Sequence, residues 1–345
     1  MREQALTSAE EESYRPLISL RVLEFPSISM GSCLGFERRA AAEGSKIQSP
    51  DFSSSEAPSS SSRSLSCFRE LSMEERFLLD ESKVIGRGAD AVVLRGEDRI
   101  SGEPVAVKVI AFEGKRDKEL ERRFQQEVAI LSSLQHSSVI HLYDSFRDSS
   151  RGMLVLEYAD GGDLLDVLMQ RDRLCEWDAA HILFGLVDAV LYLHSKDIVH
   201  RDLKPENVLL RRRGSLKELL ITDFGFACHC PDDNLTELLG TVNYMAPEAL
   251  VGGPYGKAVD VWALGVILFV TLSGSFPFLH DDKLQLVRAI VNGHFSFYAN
   301  KHIWSNVSVS AKDLIRHIMV VDPRQRYSLQ QILSHPWMTQ YRRLE

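Results

Sequence analysis

The stretch His200-Arg201-Asp202-Leu203-Lys204-Pro205-Glu206-Asn207 decides the fold of this chain. An apolar run with helical periodicity precedes it and a strand-like run, residues 208–210, follows it. A loop held between a buried helix and a strand can fix its side chains rigidly. Asp202 could accept a proton from a hydroxyl, Lys204 could neutralise a phosphoryl group, and Asn207 could bind a hard cation through its amide oxygen. The stretch therefore offers the groups that phosphoryl transfer requires.

Composition and charge indicate an ordinary soluble protein. The chain has 345 residues, which is long enough for two or three core-forming units. Of these residues, 44% are hydrophobic and 26% are charged. The net charge is −8 and there is no long basic block, so we expect no nucleic-acid partner. Five unpatterned cysteines favour a reducing compartment, and we expect a cytoplasmic or nuclear location. The most apolar run, residues 261–272, is too short to span a bilayer and predicts a buried helix.

Residues 1–76 are predicted to form a disordered, serine-rich extension. Serine dominates positions 45–66, which would bury too little apolar area to offset the entropy of ordering. A second hypothesis applies if translation starts at Met30, because Gly31 and Cys33 would then resemble a dual lipid anchor. Only in that case do we expect association with a membrane.

Three other stretches carry chemistry. Gly86 and Gly88 lie between two strand-like runs, and glycines let backbone N–H groups approach phosphates closely. Lys108 ends an alternating, strand-like run. Glu127 lies within the apolar stripe of a predicted helix, where a lone charge is costly, and Lys108 is its candidate partner. Asp223 follows a further strand and begins the sequence Asp-Phe-Gly.

The stretch at 200–207 resembles the catalytic loop of the eukaryotic protein kinase family. Other motifs of that family occur in the family's order, at residues 105–108, 223–225 and 246–248. The resemblance implies an α+β, bilobal fold with a small β-rich N-lobe at 77–158 and a larger helical C-lobe at 159–340. It also implies ATP and Mg²⁺ as cofactors.

The resemblance assigns roles to individual residues. The catalytic residues it implies are Asp202, Lys204, Lys108, Glu127 and Thr241, and the metal ligands are Asn207 and Asp223. The nucleotide-binding residues it implies are Ile85, Gly86, Gly88, Val93, Ala106, Lys108, Leu156, Glu157, Ala159, Asp163 and Leu209. The chain departs from the family at Ala91, which replaces the third glycine of the phosphate loop, so we expect a stiffer loop. Asp163 could instead stabilise a helix N-terminus.

Several motifs resemble a particular group of kinases. Lys204 and Thr241 favour a serine/threonine kinase, and Gly161-Gly162-Asp163-Leu164 and His335-Pro336-Trp337-Met338 resemble the calcium/calmodulin-dependent protein kinase group. We expect a monomer that acts on protein substrates. Asp163 and Glu206 favour an arginine upstream of the target Ser or Thr. The alternative is a pseudokinase scaffold, although the four residues whose loss would indicate one are all present, namely Lys108, Asp202, Asn207 and Asp223.

Two hypotheses concern regulation. Arg201 needs an anionic partner, and Glu237 lies four positions before Thr241, where related kinases carry a phosphorylated residue. The alternative is that Thr236 is phosphorylated and Glu237 is solvated. Separately, Cys228 or Cys230 could be an accessible, redox-sensitive thiol, or both could be ordinary loop residues.

Overall fold

A computed structural model describes residues 72–112, 117–298 and 301–342. The predicted serine-rich extension therefore lies outside the described residues, except for positions 72–76, and so does the lipid-anchor hypothesis at Met30. Helices and strands are numbered below in chain order over the described residues.

The described chain begins with a short helix, α1 (Met73–Arg76). The Ser72 hydroxyl accepts the Glu75 N–H while the Glu75 carboxylate accepts the Ser72 N–H, which is a capping box. Met73 is buried with Phe77 in a small apolar cluster. Regular structure thus starts before the predicted boundary at 77, because the capping box stabilises the start of the helix and its Met73 side chain packs in the apolar cluster.

Five antiparallel strands follow: β1 (Phe77–Arg87), β2 (Ala91–Asp98), β3 (Pro104–Ala111), β4 (Leu142–Arg147) and β5 (Arg151–Glu157). They form one sheet in the order β1-β2-β3-β5-β4. Helix α2 (Asp117–Ser132) lies between β3 and β4 in the chain. The register places Lys108 opposite Val93 on one side and Leu154 on the other.

The rest of the described chain is mainly helical. Helix α6 (Ala258–Ser273) is buried on all sides and contains the apolar run 261–272, so the predicted buried helix is confirmed. Among the described residues, none of the helices combines the length and the apolar character needed to cross a bilayer. The other helices are α3 (Leu164–Arg171), α4 (Glu176–Ser195), α5 (Pro247–Leu250), α7 (Lys283–Asn292), α8 (Lys301–Trp304), α9 (Val309–Ile318), α10 (Leu329–Ser334) and α11 (Pro336–Arg342).

Two small strand pairs fix the loops between α4 and α5. Strand β6 (Ile198–Val199) pairs with β9 (Cys228–His229), and β7 (Val208–Leu210) pairs with β8 (Leu219–Ile221). Residues 200–207 are therefore held between β6 and β7, and Asp223 follows shortly after β8. The predicted α+β class, with a β-rich N-lobe and a helical C-lobe, is confirmed.

Candidate active site

The carboxylate of Asp202 is buried and held from several sides. Its Oδ1 accepts the backbone N–H of Thr241 at 2.9 Å and the Thr241 hydroxyl at 2.8 Å. Its Oδ2 lies 2.8 Å from the Nζ of Lys204 and accepts a hydrogen bond from the Nδ2 of Asn207 at 3.2 Å. The catalytic loop and the segment around Thr241 thus fix the orientation of Asp202 together.

Lys204 joins the same cluster. Its ammonium donates to the Thr241 hydroxyl at 2.9 Å as well as pairing with Asp202. Burial lowers the pKa of Lys204, but the charge of Asp202, the hydrogen bond to it and the charges of Glu206 and Asp223 together raise the pKa on balance. Lys204 therefore stays protonated at neutral pH, as a group that neutralises negative charge must.

The strand β3 and the helix α2 bring together the predicted pair of Lys108 and Glu127. The Lys108 Nζ donates to Glu127 Oε1 at 2.7 Å and to Asp223 Oδ1 at 2.7 Å. Burial raises the pKa of Glu127 more than the charge of Lys108 lowers it. The charge of Lys108 lowers the pKa of Asp223 to about 2, so Asp223 is ionised at neutral pH.

The donor atoms here fit a bound Mg²⁺. Asn207 donates through Nδ2 to the backbone oxygen of Asp202 at 2.8 Å, which leaves its amide oxygen as the atom that can face a cation. Asp223 supplies an ionised carboxylate oxygen, and hard cations prefer such oxygen ligands. A Cβ at Gly225 would lie 3.4 Å from Asp223 Oδ1 and 3.6 Å from Glu127 Oε2, so glycine leaves space beside the charged groups.

The backbone of the catalytic loop is strained, and a buried carboxylate supports it. Arg201 has φ 68° and Asp223 has φ 62°, in the left-handed region that side chains other than glycine rarely adopt. Asp260 accepts the N–H groups of His200 and Arg201, each at 3.0 Å. Burial raises the pKa of Asp260, but its hydrogen bond with His194 and the nearby histidines lower it on balance.

Several residues of the predicted nucleotide site are neighbours in the sheet or pack on the main core cluster. Ala106 and Leu156 are opposite each other on β3 and β5 and belong to the main core cluster. Gly86 is opposite Val93, and the Gly88 N–H donates to the Ala91 oxygen at 2.9 Å, which closes the turn. Partly buried residues that pack on the same cluster are Val93, Ala159 and Leu209, while Ile85 is 46% exposed.

Two members of the predicted nucleotide set use their side chains elsewhere. The Glu157 carboxylate pairs with Arg211 at a cleft of about 320 Å³ lined mainly by residues 134–141, so only its backbone is left for the predicted role. Arg211 also donates from Nη2 to the backbone oxygen of Ser137 at 2.8 Å, in the same cleft. Asp163 Oδ1 accepts the Asp166 N–H at 2.7 Å and caps α3, as the alternative interpretation proposed.

The activation segment, residues 223–248, is attached to the catalytic loop through Arg201. Arg201 donates from Nη1 to Glu237 Oε2 at 3.1 Å and from Nε to the Phe226 oxygen at 2.6 Å. The Tyr255 hydroxyl donates to the backbone oxygen of Glu237. Leu235 and Tyr255 exchange two backbone hydrogen bonds, at 2.8 and 2.9 Å. Glu237 therefore occupies the place beside Arg201 that its sequence position predicted.

The cysteine hypothesis does not fit the structure. Cys228 and Cys230 are both buried, and burial raises the pKa of the Cys228 thiol to about 11. A reactive cysteine needs access and a lowered pKa. Cys228 has neither property, and Cys230 lacks the access.

A cluster of Asp313, His317 and His335 resembles a metal site by composition alone. The Trp337 N–H donates to His335 Nδ1 at 3.2 Å, so the ring proton lies on Nε2. That Nε2 donates to Asp313 Oδ2 at 3.2 Å. A metal-bound histidine needs the opposite arrangement, with its second nitrogen as a donor. His335 therefore does not fit the role of a metal ligand, and its hydrogen bond with Asp313 joins helix α9 to the start of α11.

Some residues that shape the site were missed by the sequence analysis. Gln126 donates from Nε2 to the backbone oxygen of Ala227 at 2.6 Å, and Arg123 lies over the ring of Phe226, 5.1 Å from its centroid. The Gln126 contact leaves no sequence signal because its partner is a carbonyl group. The Arg123 contact could have been found only from a model of how α2 packs.

The α+β fold, the Lys108–Glu127 pair and the oriented Asp202 together define the protein kinase class. Residues 79–338 match the family model described as "Protein kinase domain". The chain belongs to the protein kinase family.

Named relatives lie within the same family. The chain is 39% identical over 262 residues to serine/threonine-protein kinase H1 homolog of Danio rerio and to serine/threonine-protein kinase H1 of Homo sapiens. It is 38% identical over 255 residues to calcium/calmodulin-dependent protein kinase type 1B of Rattus norvegicus. The alignments cover 75% of this chain and 61% of each H1 protein, and 74% of this chain and 73% of type 1B. The predicted resemblance to the calcium/calmodulin-dependent group is confirmed.

Proposed function

We propose that the chain is a serine/threonine protein kinase that transfers the γ-phosphoryl group of Mg-ATP to protein hydroxyls. The observation that carries this proposal is the fixed Asp202 carboxylate, with Lys204 and Thr241 bound to it. General-base catalysis requires a carboxylate that is ionised and oriented before the substrate hydroxyl arrives. The names of the relatives support the choice of serine and threonine.

The mechanism follows from the charges and contacts. Asp202 accepts the proton of the substrate hydroxyl, and Lys204 stabilises negative charge on the transferred group. Lys108, held by Glu127, binds the phosphates of the nucleotide. Asn207 and Asp223 would hold Mg²⁺, which when bound neutralises charge on the phosphates. Because transfer involves little covalent chemistry by the protein, the fixed positions of these groups provide most of the catalysis.

The proposed activity is tested with purified protein, Mg-ATP and a peptide array with Ser, Thr or Tyr acceptors. We expect labelling of Ser and Thr peptides that depends on Mg²⁺. If the labelling equals that of the Asp202→Ala variant, the protein is a pseudokinase scaffold and the proposal fails.

The Oε2 atom of Glu206 supports a substrate with an upstream arginine. Burial raises the pKa of Glu206, and its Oε2 is buried without a hydrogen-bond partner among the described residues. An arginine of a substrate would supply the missing donors. Asp163 contributes less, because its Oδ1 already caps α3.

We expect Glu206→Gln to lower kcat/KM about tenfold for a peptide with arginine upstream of the acceptor. A loss of this size corresponds to the free energy of one charge-assisted hydrogen bond. The same peptide with alanine in place of arginine is the matched control, and its kcat/KM is expected to change less than about twofold. Steady-state kinetics on both peptides measures the difference. An equal loss on both would contradict a role in substrate selection.

The pair of Arg201 and Glu237 supports a regulatory proposal, namely basal activity without phosphorylation of the activation segment. The Arg201 side chain is 4% exposed and pairs with the Glu237 carboxylate, which supplies negative charge that a phosphate would otherwise bring. We expect Glu237→Gln to lower the kcat of phosphatase-treated protein about three- to tenfold, because a charged hydrogen bond to a buried guanidinium is lost.

Thr236→Ala, also treated with phosphatase, is the control for the alternative that Thr236 is the regulatory site. We expect it to keep full activity. If Thr236→Ala abolishes activity while Glu237→Gln retains it, the segment depends on phosphorylation and the proposal about Glu237 is wrong. The losses caused by Arg201→Ala and Glu237→Gln should be less than additive, since the two residues share one ion pair, while Arg201→Ala also removes the hydrogen bond to the Phe226 oxygen.

We further propose that the protein acts as a monomer in a reducing compartment, either cytoplasm or nucleus. The described cysteines, Cys175, Cys228 and Cys230, are free thiols, which supports a reducing location.

A further inference from the structure

The turn between strands β7 and β8 carries a run of arginines that ends at a serine. Strand β7 ends at Leu210 and β8 begins at Leu219, and the turn starts with Arg211-Arg212-Arg213-Gly214-Ser215. Ser215 therefore has arginines two, three and four positions upstream. The proposed function includes a preference for substrates with an upstream arginine, so this turn has the sequence of such a substrate.

The tip of the turn is accessible from solvent. Arg212 and Arg213 are exposed, and Ser215 is half-buried. Gly214 has φ 80°, and a Cβ placed there would meet no atom within 4 Å, so the tip projects into open space. Among the described residues, the hydroxyl of Ser215 makes no hydrogen bond. Its oxygen is therefore available to accept a phosphoryl group.

Few bonds hold the tip in its present conformation. The Ser215 N–H donates to the Arg212 oxygen at 3.1 Å, and the Arg213 N–H donates to Asp160 Oδ1 at 3.0 Å in an exposed contact. The ladder between β7 and β8 ends before this stretch. The two bonds can break locally while the ladder remains intact, which lets residues 212–215 extend into the active site of an enzyme.

The residue after Ser215 is fixed in the core. Leu216 is buried and belongs to the main core cluster. An enzyme that modifies Ser215 in the folded chain must therefore bind the residues before the serine rather than the residue after it. The arginines suit this role, because guanidinium groups form charge-assisted hydrogen bonds with carboxylates such as that of Glu206 in the acting enzyme.

Two other serines among the described residues have an arginine three positions upstream, Ser72 and Ser150. The Ser150 hydroxyl donates to Asp148 Oδ1 at 2.8 Å, and the Ser72 hydroxyl accepts the Glu75 N–H at 3.3 Å. Each of them also has an acidic residue two positions upstream, which repels carboxylates of an enzyme. Ser215 has arginine at that position instead, so it is the best acceptor of the three.

The turn also offers a partner for the phosphorylated product. Arg212 pairs with Glu218 at 3.3 Å, and both side chains are more than a third exposed. Such an exposed pair contributes little, so Arg212 can exchange Glu218 for a phosphate on Ser215, which carries nearly two charges and three acceptor oxygens. The phosphorylated turn therefore remains compatible with the fold.

We propose that Ser215 is a phosphorylation site and that a second copy of this chain phosphorylates it. The Ser215 oxygen bonds to the γ-phosphorus of ATP, the bond from that phosphorus to the β–γ bridging oxygen breaks, and ADP leaves. The hydroxyl proton passes to Asp202 of the acting copy. Because the β7–β8 ladder fixes both ends of the turn, we assign the reaction to a second copy rather than to the same chain. The identity of the enzyme rests on the proposed function, whereas the presentation of Ser215 by the turn does not.

The test mixes an inactive acceptor with an active enzyme. The acceptor is the Asp202→Asn chain labelled with heavy nitrogen, and the enzyme is the unlabelled Ser215→Ala chain, both first treated with phosphatase. After incubation with Mg-ATP, mass spectrometry quantifies phosphate on each serine of the acceptor. We expect Ser215 to be modified at least about tenfold faster than Ser150. If peptides of the array are labelled while Ser215 of the acceptor is not modified faster than Ser150, the proposal is overturned and the proposed function stands.

A change in the acceptor tests whether the arginines guide the reaction. We expect Arg212→Ala to lower the rate of Ser215 modification about tenfold, which corresponds to the loss of one charge-assisted hydrogen bond. Arg147→Ala is the matched control, because Arg147 lies three positions before Ser150. It is expected to change the rate at Ser215 by less than about twofold. Equal rates for the Arg212→Ala acceptor and the unchanged acceptor would show that the arginines do not select Ser215, and the proposal would be wrong.

A second enzyme separates the site from the proposed function. The same Asp202→Asn acceptor is incubated with a serine kinase that is known to require arginine three residues before its target. We expect phosphate on Ser215 and not on Ser150, whether or not this protein transfers phosphate itself. If that enzyme leaves Ser215 unmodified, the turn does not present the serine and the proposal fails. If it modifies Ser215 while the chain labels neither the acceptor nor the array, the proposed function fails and the second copy is not the enzyme.

Discussion

Asp202→Ala is expected to lower kcat by about 10²- to 10⁴-fold and to change the affinity for Mg-ATP by less than about twofold. The carboxylate is placed to take the proton of the substrate hydroxyl, while the nucleotide is held by Lys108 and its partners. A change in kcat with unchanged nucleotide binding identifies a group that acts in the transition state. Single-turnover phosphorylation and nucleotide titration measure the two quantities separately.

Two further variants make this prediction specific. Asp188→Ala removes an exposed carboxylate from helix α4, and we expect its kcat to match that of the unmodified chain. Asp202→Asn keeps the shape of the side chain and one oxygen acceptor for Thr241, so the site should stay folded while the base is lost. Full activity in Asp202→Asn would show that Asp202 does not act as the base.

Arg326→Ala is expected to lower the free energy of unfolding by about 3–5 kcal/mol. The Arg326 side chain is 1% exposed and donates to Glu248 at 2.7 and 2.9 Å. It also donates to the backbone oxygens of Ala258 at 2.7 Å and Val320 at 3.0 Å. The alanine variant leaves Glu248, whose side chain is 13% exposed, as a largely buried charge without its partner, together with unpaired carbonyl groups. Urea unfolding followed by circular dichroism measures the loss.

Arg324→Ala is the matched control for this prediction. Arg324 lies two residues away, its side chain is 88% exposed, and it also pairs with a carboxylate, that of Asp322. Exposed ion pairs contribute about 0–1 kcal/mol, so the unfolding curve should hardly move. Equal losses in the two variants would mean that burial does not determine the strength of these pairs.

The sequence predicted those parts of the site in which one residue type restricts its partner. A glutamate inside an apolar stripe needs a cation, and Lys108 was the evident candidate, so the pair with Glu127 could be predicted. Family motifs supplied Asp202, Asn207 and Asp223, whose spacing along the chain identifies them before any fold is known. The acidic position of Glu237 followed from counting back along the activation segment.

The sequence did not predict where side chains turn or which backbone groups they bind. Glu157 was assigned to the nucleotide site, but its carboxylate pairs with Arg211, because a family motif does not determine the partner of a side chain at the end of a strand. Gln126 was unremarkable in the sequence, since a carbonyl partner exists at every position. The early start at α1 was missed although Ser72 and Glu75 form a recognisable capping box.

The left-handed backbone at Arg201 has a consequence for the order of folding. This conformation is unfavourable by about 1–3 kcal/mol and persists only where surrounding structure imposes it. The carboxylate that binds the N–H of Arg201 belongs to Asp260, in the first turn of α6, and α6 packs against α4. We therefore expect the catalytic loop to reach its final conformation only after α6 has docked. During refolding, recovery of activity should lag behind formation of the N-lobe sheet and report completion of the helical core.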